Sequence, residues 1–124
     1  MSAFLFIDLA CKNCAPNGKD ILIEYKSGAG SVTKETIQKQ FIERDLFTAN
    51  SLEEIQWRLK NTTLTKDKLV GWLNDNINSI INLKKGKIAD LLDNDNILNM
   101  TDSQAADMFI KYFEKNENYQ IIFK

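Results

Sequence analysis

No histidine occurs in the 124 residues. The side chain that most often serves as general base, proton shuttle and zinc ligand is therefore missing. Proline occurs once and glycine five times, while 44% of the residues are apolar. That balance belongs to a folded domain, not to a disordered chain, and the length suits one domain over residues 1–124. Arginine occurs only at Arg44 and Arg58. Sixteen basic residues meet seventeen acidic ones for a net charge of −1. A nucleic-acid partner is disfavoured on both counts, because such proteins carry a basic excess and read bases and phosphates largely through arginine.

Long apolar runs are missing too. No stretch reaches the roughly 18 apolar residues of a membrane span, so no membrane partner is expected. The N-terminus, MSAFLFIDLA, has no basic start and is interrupted by Asp8, so a signal peptide is not expected. Two cysteines are too few for a disulfide scaffold. The expectation is a cytoplasmic protein with Cys11 and Cys14 as reduced thiols.

What is present is organised around Leu64–Gly86. Thr65 has the chemistry of an N-cap, with Leu64 and Leu69 placed as a hydrophobic staple. Asp67 falls in the first turn, Lys84 and Lys85 in the last, and Gly86 stands where a helix commonly stops. Leu69, Trp72, Leu73, Ile77, Ile80 and Ile81 recur at spacings of three and four. One long helix is predicted, with Trp72 largely buried beneath a sheet.

Three strands are predicted. Ala3–Leu9 is almost continuously apolar and is placed at the centre. Ile21–Lys26 alternates, with Ile21, Ile23 and Tyr25 inward and Glu24 and Lys26 toward water. The Ala15-Pro16-Asn17-Gly18 turn joins these two as a hairpin. Tyr119–Lys124 alternates again as the third strand. Between them, Thr33 caps a helix carrying Ile37, Phe41 and Ile42 inward. Ser51 and Glu54 form a capping box for a short helix through Lys60, and Lys87–Leu92 is a further short helix. Thr101 and Gln104 form a second box, for a helix burying Ala105, Phe109, Tyr112 and Phe113. The fold class is α+β: a small three-stranded sheet, made of the N-terminal hairpin plus the C-terminal strand, packed against about five helices.

Most candidate chemistries fail on their own requirements. Cys11-Lys12-Asn13-Cys14 lacks third and fourth metal ligands within one chain, and no helix follows it to activate a redox thiol. Gly28-Ala29-Gly30 matches neither dinucleotide nor P-loop spacing. Asp93 and Asp95 do not continue into a calcium loop, because Leu98 stands where glycine is required and Gln104 where the closing glutamate belongs. Glu53 and Glu54 are explained by a helix N-terminus. With no cofactor or metal set in view, a catalytic role is not expected.

One feature remains. From Ile88 to Ile110 there are five acids, Asp90, Asp93, Asp95, Asp102 and Asp107, and no Lys or Arg. Such a segment sets up a local negative field. The functional expectation is a small protein-binding module that docks through these five aspartates on a partner protein with a basic surface and neutralises it. By analogy alone, a bacterial immunity protein or a phage-encoded inhibitor has this size and style. Two alternatives are a nucleotide- or nucleic-acid-binding module using Gly28–Gly30 with Lys26 and Lys34, and a structural component of an oligomer.

Overall fold

Residues 9–124 are described by a computed structural model, and they form an α+β fold. The sheet has three strands: β1 (Leu9–Cys11), β2 (Ile21–Ser27) and β3 (Ile55–Lys60). Their order is β1-β2-β3. β1 and β2 are antiparallel, with Leu9 opposite Ile23, as the Pro16–Gly18 turn predicts. β2 and β3 run parallel, from Leu22 opposite Ile55 to Ser27 opposite Lys60. Parallel neighbours need a crossover. It is supplied by α1 (Lys34–Thr36) and the π-helix Ile37–Leu46 that continues it.

The third strand is not the predicted one. Most of Tyr119–Lys124 enters helix α6 (Asn116–Ile122), and just its last two residues reach the sheet: Phe123 bridges to Trp57, and Lys124 N donates to Trp57 O at 2.8 Å. Tyr119 stacks on Phe123 one helical turn away, with centroids 5.0 Å apart, so residues that alternate with period two also serve a helix. A six-residue segment satisfies both periods. Conversely, Ser51 caps only a 3₁₀ turn, Leu52–Glu54. The chain then extends as Ile55–Lys60, where Ile55 and Trp57 are buried and Arg58 and Lys60 are exposed. That segment alternates apolar and polar without a break, which is the strand signal. The predicted strand Ala3–Leu9 lies outside the described residues except for Leu9. Among the described strands, β2 is the central one.

The predicted long helix is three. Thr65 caps α2 (Lys66–Asp75), and both staple leucines are buried. The helix ends at Asn76, whose backbone leaves the helical region at φ −108° and ψ 26° while its N and Nδ2 both donate to Trp72 O. α3 (Ile77–Ile81) follows, and Lys84 at φ 74° opens a third segment, α4 (Lys84–Leu92). Gly86 therefore sits inside a helix, and Lys84 and Lys85 begin one. α4 stops at Asp93, which takes the left-handed conformation at φ 51°, while Asn94 N donates to Ala89 O. This is a Schellman ending with aspartate where glycine is usual. A 3₁₀ turn, Asp95–Asn99, leads to α5 (Asp102–Tyr112), whose predicted capping box is complete in both directions.

Trp57, not Trp72, is the buried tryptophan. Trp57 has no exposed surface, while Trp72 is half-buried. Phe41 makes edge contacts with Trp57, Phe113 and Phe123. These rings join crossover, sheet, α5 and the chain end in one core. No helix among the described residues is long and apolar enough to cross a membrane.

Candidate functional site

Charged side chains gather in two places, one inside the fold and one on its surface. The inner group changes the expected burial of β2: Ile23 is buried as expected, but so is Glu24. Residues in register share a face, so Glu24 lies beside Trp57 and Lys26 beside Leu59, on the side covered by helices. Glu24 is only 5% exposed and Asp45 only 2%. Tyr25, expected inward, is 47% exposed and lies against Arg58. Burial of these acids is tolerated because each finds charged or hydrogen-bonding partners. Arg44 donates from Nη2 to Glu24 Oε1 at 2.7 Å and from Nε to Asp45 Oδ1 at 2.8 Å. Trp57 Nε1 donates to Asp45 Oδ2 at 2.8 Å. Lys26 Nζ sits 3.5 Å from Glu24 and over the Trp57 ring.

Burial pushes the Asp45 carboxyl above its ordinary range, and hydrogen bonding and charge from Arg44 oppose that shift. Burial also works to lower the Arg44 pKa, but the hydrogen bond and charge of Asp45, followed by those of Glu24, raise it overall. The π-helix presents Arg44 and Asp45 side by side at its end. The two acids and two bases balance, and the group locks crossover to sheet.

The outer group forms an acidic cleft of about 490 Å³. Asn17, Asn50, Ser51, Glu53, Ala89, Asp90, Asp93 and Asp95 line it. Local structure fixes each wall. Asp90 lies in the last turn of α4, Asp93 ends that helix, and Asp95 opens the next 3₁₀ turn. Buried Glu54 accepts from Asn17 Nδ2 at 2.9 Å and from Asn50 N at 3.3 Å, which ties the hairpin loop to the turn carrying Glu53. Lys87 Nζ donates to Ala49 O at 2.6 Å and holds α4 against that turn.

Asp90, Asp93, Asp95 and Glu53 form no ion pair among the described residues. Nor do three or more His, Cys, Asp or Glu side chains among those residues come together as a metal site. Beyond the cleft, the Tyr112 phenol is raised by burial and, secondarily, by the charge of Glu53.

The five predicted aspartates are thus divided. Asp90, Asp93 and Asp95 share the cleft. Asp102 accepts from Lys85 N at 2.9 Å and pairs with Lys84 at 3.8 Å, so its carboxylate caps α4. Asp107 pairs with Lys111 at 3.2 Å on the outer side of α5, beside a separate shallow cavity with Met108. Glu53, Asn17 and Asn50 were not legible as site residues. Glu53 carried the signal of a helix N-terminus, and only the tertiary fold brings it opposite Asp90.

The Gly28–Gly30 loop is held from within. Gly28 N donates to Lys60 O, Ser31 Oγ to Gly28 O, and Thr63 Oγ1 to Ala29 O. Lys26 faces Glu24, and Lys34 pairs with Asp75 at 3.6 Å.

Contrary to the expected free thiols, Cys11 and Cys14 are joined in a disulfide. Asn13, in the left-handed region at φ 57°, turns the loop so that their Cα atoms stand 5.5 Å apart, within bridging range. Comparison of the chain with protein-family models, curated proteins and solved structures found no match.

Proposed function

We propose that this protein is a binding module that docks on a basic surface of a partner protein through the acidic cleft and neutralises that partner. The observation that carries it is the set of four carboxylates, Glu53, Asp90, Asp93 and Asp95, around one cleft with no ion pair to any of them among the described residues. The other acids of the predicted segment, Asp102 and Asp107, each pair with a lysine. An unpaired cluster raises its own repulsion, which an incoming Lys or Arg relieves. The spread of the carboxylates suits several basic side chains of a protein surface better than one cation.

The test is affinity capture from native lysate with two baits, the wild type and Asp93→Asn/Asp95→Asn. A stoichiometric protein held by the wild type and lost from the variant supports the proposal. Equal capture by both baits places the binding surface elsewhere. A cytoplasmic setting belongs to the same proposal and requires the Cys11–Cys14 bond to be reversible, since stable disulfides seldom persist there.

A further inference from the structure

The hairpin loop holds a second chemistry, independent of the acidic cleft. We infer that Cys11 and Cys14 form a thiol–disulfide exchange site that accepts two electrons from an external dithiol while the fold stays intact.

Three observations support this. First, access: Cys14 is exposed and Cys11, at the end of β1, is half-buried. An attacking thiolate therefore meets Cys14 Sγ first. Second, the bond is not what shapes the loop. Asn13 N donates to Asp20 Oδ1 at 3.0 Å, Ala15 N to Lys19 O at 2.9 Å, Gly18 N to Ala15 O at 2.8 Å, and Lys19 N to Asn17 Oδ1 at 3.0 Å. A bridge closing so short a loop also restricts the unfolded chain least, since that effect grows with loop length. Third, the reduced form already has a place for its proton. Cys14 Sγ lies 3.4 Å from Lys12 O, a distance that becomes an S–H···O hydrogen bond once the thiol forms. Exposed disulfides that contribute little to folding are the exchangeable ones.

The exchange balances as follows. One thiolate of the dithiol attacks Cys14 Sγ, forming a mixed disulfide and breaking the Cys11–Cys14 bond. The electron pair of that bond leaves on Cys11 Sγ, which takes a proton. The second thiolate of the donor then attacks the donor's own bridged sulfur. Cys14 leaves as thiolate and takes the second proton. The donor ends as a disulfide, having given two electrons and two protons, and the protein ends as a dithiol.

Dithiothreitol is the probe. Native protein is equilibrated with graded ratios of reduced to oxidised dithiothreitol, then alkylated and weighed. The expected result is a single step adding two alkyl groups, while the circular dichroism spectrum and melting temperature hold. Thiols that appear only as the native spectrum is lost would make the bond a structural one and overturn the inference. Two single variants test the order of attack. Cys11→Ser, which leaves exposed Cys14, should form a mixed disulfide with oxidised glutathione on the order of ten times faster than Cys14→Ser, which leaves half-buried Cys11. Equal rates, or no adduct on either, would contradict Cys14 as the entry sulfur.

Discussion

The buried group around Asp45 and the open cleft around Asp93 use the same residue types under opposite conditions. Inside, Glu24 and Asp45 meet Arg44, Lys26 and Trp57 within hydrogen-bond or ion-pair distance. On the surface, Glu53, Asp90, Asp93 and Asp95 meet no cation among the described residues. A buried carboxylate without a partner costs several kcal/mol, so the fold must supply one. Water screens an exposed carboxylate, so the fold leaves it available. Charge that is neutralised internally belongs to stability, and charge left over is open to recognition.

The largest effect should come from breaking the inner group. Asp45→Ala removes the acceptor of the Trp57 indole N–H and one of the two carboxylates that meet Arg44, and should cost about 3 kcal/mol or more in urea unfolding. A loss below about 1 kcal/mol would mean that water reaches the site. Asp102→Ala should cost about 1 kcal/mol, because it removes the acceptor of Lys85 N at the start of α4. An unchanged midpoint would return Asp102 to the exposed acids.

Asp45→Asn is gentler and isolates ionisation. Burial raises the folded-state pKa of Asp45 above its unfolded value. The stability linked to that group is therefore fully present below the unfolded pKa and is lost as pH rises through the folded one. The stability of the wild type relative to Asp45→Asn should fall as pH climbs from about 4, then level off. A relative stability that rises over that interval would show that Arg44, not burial, governs the site. The smallest effect belongs to the cleft: Asp93→Asn/Asp95→Asn should stay within about 0.5 kcal/mol of the wild type. A larger loss would mean these acids hold the fold together.

The same contrast shows what the sequence could convey. Signals confined to a few neighbouring residues held, among them the Thr65 cap, the Thr101–Gln104 box and the Pro16–Gly18 turn. Signals that depend on a competitor did not. The central helix ended at Asn76, where the backbone turns out of the helical region inside an otherwise periodic apolar pattern. Ile55–Lys60 became a strand although a capping box preceded it, and Glu24 turned inward because Arg44, twenty residues away, was there to meet it. The acidic segment was visible as a run without cations. Its division into a cleft and a helix cap was not, since Glu53 acts through tertiary placement and Lys85 through its backbone N–H, whereas the Asp107–Lys111 pair follows from i,i+4 spacing on one helix.

The central claim is that the leftover charge of the cleft recruits a basic partner. It is tested most directly by the association rate constant with the captured partner, measured by stopped flow across a range of salt concentrations. For the wild type the rate should fall steeply with salt. For Asp93→Asn/Asp95→Asn it should be slower at low salt and flatter across the series, since two steering charges are gone. Identical rates and identical salt slopes for the two proteins would contradict the account and leave the cleft a solvated face.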